Sequence, residues 1–234
     1  MNKSTGKSQC FFDLCSPNRL KFKMEAKPPV FEKIYRDYLN QLNTINLQET
    51  AYRMGSKIEG DSVIIPFFDK QYKISTKGIV DQLGKEPIHS IKVVLCKYLL
   101  LYPNFKPRGN DWVSYRDFKD SAPFVTGFQN NSEMAIAKNF ANRIEEMKMA
   151  CLKLGGYSPE IEVNYQLSMK FDALPDVPVL LLFNDTDSEF TARCLILFEQ
   201  RAEKYLDMEC LAIIGWFLSD YLISFLHEKR STIM

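Results

Sequence analysis

The chain has almost no net charge, no C-x-x-C pair, no glycine-rich loop opening a helix, and no unbroken apolar run of membrane-spanning length. Each absence removes a class of function. Lysine and arginine number 30 against 29 acids, leaving +1. A nucleic-acid-binding domain normally carries a basic excess, so no nucleic-acid partner is expected. Of the cysteines, Cys96, Cys151, Cys194 and Cys210 lie inside apolar runs, where a free thiol behaves as a small buried hydrophobe. No spacing suggests a disulfide framework. Cys10 and Cys15 form a C-x4-C pair without the further ligands that a zinc or iron–sulfur site takes, so no metal is expected. The N-terminus lacks the apolar core of a secretory signal, which points to a reducing cytoplasm. Cys210 to Leu218 is wholly apolar, but Ser219 and Asp220 end the run short of the roughly 20 residues a membrane span needs. No membrane association is expected. Gly155 and Gly156 follow a helical pattern instead of opening one, which rules against a phosphate loop.

What is present is the make-up of an ordinary globular protein, 46% apolar and 25% charged over 234 residues, enough chain to bury a sizeable core. Residues 1–29 are polar and basic and read as a mobile tail; residues 30–234 read as a single domain. Apolar residues recur at helical spacing over 31–53, 88–101, 133–154 and 200–227. Asn131 or Ser132 is the expected cap of the third of these helices, and Gly155-Gly156 its stop. Alternation and β-rich composition predict a hairpin of Ser62–Phe67 and Gln71–Ser75. Pro66 demands an edge or a bulge there, because it cannot donate to a ladder. Three further strands are predicted in "EVNYQLSMKFDAL", "PVLLLFN" and "RCLILFE", the last two buried on both faces. Separate strand and helix blocks predict an α+β fold: one antiparallel sheet of about five strands packed by about four helices, the last of them long.

Candidate site residues are few. The acids Asp185, Asp187 and Glu189 sit between two apolar runs and invite a calcium reading. A helix-flanked calcium loop would need Gly at 190 and Glu at 196, where Phe190 and Ile196 stand. Turn chemistry accounts for Asn184, Asp185, Asp187 and Ser188 without a ligand, and leaves Glu189 and Arg193 able to meet one at a hairpin tip. The longest irregular stretch, 103–131, carries Trp112, Tyr115 and Arg116, which offer stacking, a hydroxyl and a cation. These could line a pocket, or the aromatics could pin the loop to the core. "WVSYRDF" reads as a short strand or a helical turn. His89, alone at a helix start, has no orienting partner nearby in sequence and is not expected to act as a base.

The order of "GDSVIIPFFDKQYKIS", "VVLCKYLL", "DWVSYRDF", "LGG" and "LPDVPVLLLFNDTDSEF…LFE" before a long helix resembles the domain-of-unknown-function family numbered thirty-seven eighty-six, over about Gly60 to Ile223. That family occurs mainly in anaerobic bacteria and archaea. Some members are fused to an iron–sulfur domain like that of the corrinoid protein of acetyl-CoA synthesis; Cys10 and Cys15 are too few for such a cluster. The family pattern has a His before the Tyr of the central helix, where Lys97 stands here, which weakens a metal or proton-transfer role at that position. The resemblance implies no activity. It does imply a non-catalytic domain binding a small-molecule cofactor or a protein partner in anaerobic one-carbon metabolism. Two alternatives stand beside it: an enzyme whose acids, such as Asp111, Asp117 and Glu189, converge only in three dimensions, and a structural interaction domain.

Overall fold

The computed structural model describes residues 29–232. The tail expected over 1–29 lies, except for its last residue, outside them, and so do Cys10 and Cys15. The fold is α+β, and its strands form two four-stranded antiparallel sheets where the sequence suggested one sheet of about five. Among the described residues, helices α1 (Pro29–Leu42) and α2 (Leu47–Met54) come first. The helical pattern over 31–53 breaks at Asn46, whose side chain accepts the Glu49 N–H and caps α2.

The first sheet takes β1 (Lys57–Glu59), β2 (Ser62–Phe67), β3 (Lys70–Ser75) and β4 (Gly78–Asp81) in sequence order. Pro66 pairs with Gln71 on one side, while β1 reaches along β2 only as far as Ile64. Its missing N–H therefore falls where no ladder partner stands, and β2 is an edge at that point only. The outer edge of β4 is closed by other groups. The Ile79 N–H donates to the Tyr35 hydroxyl at 2.9 Å and the Asp81 N–H to the Lys85 carbonyl at 2.8 Å, which blunts an edge that could otherwise recruit another strand.

Helix α3 (His89–Leu101) leads to the second sheet. Its strands are β5 (Trp112–Ser114), β6 (Leu167–Leu174), β7 (Val177–Asn184) and β8 (Arg193–Glu199), in the order β5-β8-β7-β6. "WVSYRDF" supplies both a strand and a turn, since β5 runs into a 3-10 turn at Tyr115–Asp117. Strand β7 is buried on both faces as expected, but β8 alternates, with Leu195 and Leu197 only half-buried. Phe68 joins the sheets. At the tip of the β2–β3 hairpin it holds φ at 52°, a region that bulky residues avoid. Its N–H donates to Ala173 of β6 at 2.9 Å and its ring meets Phe171 and Tyr221 edge-on. These contacts fix the strained geometry.

The helix expected over 133–154 starts earlier and breaks in the middle. Helix α4 (Val125–Phe128) passes through a π-turn (Gln129–Glu133) into α5 (Met134–Phe140), and α6 (Ile144–Lys153) follows after Asn142, which takes φ 59°. Ser132 is thus no cap; it lies inside the π-turn, fully buried. Residues 200–204 form a 3-10 turn, and the last helix, α7, runs from Met208 to Thr232. Leu211, Ile214, Leu218 and Leu222 of α7 are wholly buried. Met208–Glu228 is long and apolar enough to cross a membrane, yet 67% of that window lies inside the fold. A helix apolar on all sides is here the core of the domain. Phe217 meets Phe67 of the first sheet edge-on, and Gly215 lies against Phe128, which neighbours Phe198 of the second.

Candidate functional site

The start of α7 borders an open cleft of about 590 Å³. Leu101, Phe124, Leu206 and Met208 supply its apolar lining. Charges of both signs surround that lining, with Lys119, Asp120, Glu203 and Lys204 among them, and Asp207 and Glu209 complete the wall. The volume falls in the range of small-ligand sites, but the cleft lies open to solvent, and an apolar centre with a charged border is equally the anatomy of a protein interface.

Each wall residue is held for a reason visible in the chain. Asp207 precedes the first turn of α7, and its Oδ1 accepts the Cys210 N–H at 2.9 Å, an N-cap. Its Oδ2 accepts from the ammonium of Lys97, which also lies 3.8 Å from Glu209. Lys97 and Leu101 are one helical turn apart on α3, so one face of that helix delivers both. Burial raises the pKa of the Tyr38 phenol of α1, and the same ammonium opposes that shift. Burial works against the charge of Lys97, but the neighbouring Cys210 thiol and the Asp207 carboxylate together outweigh burial and hold its pKa above the ordinary lysine value. Burial pushes Glu209 above the usual carboxylate range, with Lys97 opposing. Behind the wall, the Tyr115 hydroxyl donates to the Met208 carbonyl at 2.7 Å, and its ring stacks on Phe128 at 4.3 Å.

The residues singled out in the sequence are not brought together. Trp112 opens β5, directly opposite Glu199 at the end of β8, whereas Arg193 starts β8. At about 3.4 Å per residue, the two ends lie about 20 Å apart. Trp112 is half-buried, with the Lys170 ammonium 5.9 Å from its ring. It lines neither the α7 cleft nor the tip cleft described below. Tyr115 is a core residue. Arg116 is exposed beside it, and its charge acts on Glu133. Asp111 sits at the Trp112 end, where its carbonyl accepts the Gln200 N–H, and Asp117 spends its carboxylate on the Ser114 N–H. Glu189 is at the far end of β8, so these three acids do not converge.

A second cleft, about 420 Å³, lies at the β7–β8 tip and includes Arg193, Asp185 and Asp187. Asp187 Oδ1 accepts the N–H groups of Glu189 and Phe190; Asp185 Oδ1 accepts those of Asn142 and Thr186. Three of these bonds are local to the turn; the fourth, from Asn142, ties the tip to the break between α5 and α6. The four described cysteines are buried, and burial pushes Cys96 and Cys151 up to about 12 and Cys194 and Cys210 well above the ordinary thiol value. As neutral thiols at physiological pH they are poor nucleophiles.

Sequence reasoning missed the α7 cleft, although one signal pointed to it. Asp207 before the apolar run "MECLAII" is a helix-start signature. It would have moved the helix start from 200 to 208 and left "EKYLDME" as a charged lip.

Residues 46–221, most of the chain, match the family model described as Domain of unknown function (DUF3786). No curated protein and no solved structure matches the chain.

Proposed function

We propose that this chain, which belongs to the family Domain of unknown function (DUF3786), is a non-catalytic binding domain that seats a protein partner in the cleft at the start of α7. The observation that carries this reading is the make-up of that cleft: an apolar centre bordered by charges of both signs and open to solvent. Interfaces are built that way, whereas small-ligand pockets enclose most of their guest. A cofactor in place of a protein is the neighbouring form of the same proposal. Its setting in anaerobic one-carbon metabolism rests on the family resemblance alone. The cytoplasmic location rests on the buried free thiols, which suit a reducing compartment.

Leu101 gives the test. It borders the cleft and is 46% exposed, so Leu101→Arg fills the cleft without opening the core. The chain is purified from its native host under mild conditions and its companions are identified by mass spectrometry. A stoichiometric protein retained by the natural chain and lost from the folded Leu101→Arg variant supports the proposal. A companion retained equally by both contradicts it.

A further inference from the structure

We infer that the segment seated in this cleft presents one basic side chain, an arginine or a lysine, flanked by apolar residues; the inference rests on the partner-site reading above. The charges that line the cleft do not cancel. Lys119 offsets Asp120 and Lys204 offsets Glu203, the latter as an ion pair at 2.9 Å. Asp207 and Glu209 together face a single ammonium, that of Lys97. One negative charge is left over beside the apolar lining. Asp207 is committed to both the helix cap and Lys97, so the surplus falls on Glu209, whose contact with Lys97 is the longer one. A half-buried carboxylate with an incomplete counter-charge is stabilised by an incoming cation, and a second anion would be repelled. Leu101, Phe124, Leu206 and Met208 fit the aliphatic stem of an arginine or lysine and its apolar neighbours. A guanidinium suits the site best, because it is weakly hydrated and can bond a carboxylate with two N–H groups.

The test uses the full chain and three probes, followed by amide chemical-shift titration: N-acetyl-Leu-Arg-Leu-amide, the same peptide with citrulline for arginine, and 4-phenylbutylamine. Citrulline keeps shape and hydrogen bonding but not charge. The arginine peptide is expected to bind at least about tenfold more tightly than its citrulline counterpart, which is about 1.4 kcal/mol. That preference should vanish in Glu209→Gln. If both peptides bind equally well and Leu101→Arg abolishes both, the cleft remains a partner site and the charge inference is overturned. If neither peptide binds, or Leu101→Arg changes nothing, both readings fall together. If 4-phenylbutylamine binds more tightly than the arginine peptide, the cleft belongs to a small amine, and the partner side chain is overturned.

Discussion

Gly215 offers a sharp test of how the centre of the molecule is packed. A Cβ built at this position on α7 would lie 2.3 Å from Phe128 Cε2 and 2.9 Å from its Cζ, far inside the 3.5–4.0 Å at which carbon atoms pack. Phe128 has no room to retreat: it is 1% exposed, and its ring is stacked on Tyr115 at 4.3 Å. Overpacking a pinned core site costs about 3 kcal/mol. Replacing a mid-helix glycine by alanine returns about 1 kcal/mol. Gly215→Ala should therefore lose about 2 kcal/mol of stability, read as a lower midpoint in equilibrium urea unfolding followed by circular dichroism. The second arm isolates the cause. In a Phe128→Leu background the obstructing ring atoms are gone, so the same Gly215→Ala change should be neutral or stabilising by up to about 1 kcal/mol. Equal cost in both backgrounds would refute the reasoning, and so would a stabilising Gly215→Ala in the natural chain. The perturbation also reaches the cleft, because Tyr115 holds the Met208 carbonyl in its wall.

Three further outcomes are expected. Trp112→Ala should cost about 2 kcal/mol, below the roughly 3–5 of a buried aromatic, because the ring is half-buried; a loss at the top of that range in urea unfolding would show it to be a core plug. Glu133 is buried on the π-turn, where it accepts the Ile196 N–H at 3.1 Å, and burial raises its pKa against the pull of that bond and of Arg116. The native state thus binds this proton more tightly than the unfolded chain, so this group's contribution to stability grows as pH falls from neutral through the raised value towards the ordinary 4.5 and is flat below it. Glu133→Gln keeps the acceptor and removes the charge, so the variant should gain on the natural chain at pH 7 relative to pH 5; a difference in urea midpoint that ignores pH contradicts the assignment. Iodoacetamide should leave Cys96, Cys151, Cys194 and Cys210 unmodified in the folded chain and label all four in urea, as read by peptide mapping; rapid native labelling of any of them would show a thiol more open or more acidic than its burial implies.

The sequence disclosed the elements that carry strong periodicity and hid those that do not. Ser62–Phe67, α3 and the β7–β8 hairpin follow from alternation or helical spacing, because their apolar faces are wide enough to register. β1 and β4 are three and four residues long, and "KIE" and "GIVD" are too short to show a period. They exist because β2 and β3 lie beside them. With them the strands divide into two sheets, a division that no local pattern encodes. The break at Asn142 was hidden for the opposite reason: helical spacing continues across it, and only the left-handed φ of one residue redirects the chain. The α7 cleft was illegible as a whole, because α3, the 119–124 loop and the lip at 203–209 meet only in the folded chain. The aromatics at 112 and 115 drew notice by composition. They turned out to lie on a sheet edge and in the core.

A partner seated in the cleft at the start of α7 would shield its walls from solvent. Amide hydrogen exchange of the chain alone and in complex with the companion isolated from its host tests it most directly. Exchange should slow at residues 119–124 and 203–211, with the β7–β8 tip at 185–192 and the β1 edge at 57–59 unchanged. Protection confined to the tip or to the first sheet, with the lip at 203–211 exchanging as in the free chain, would contradict it.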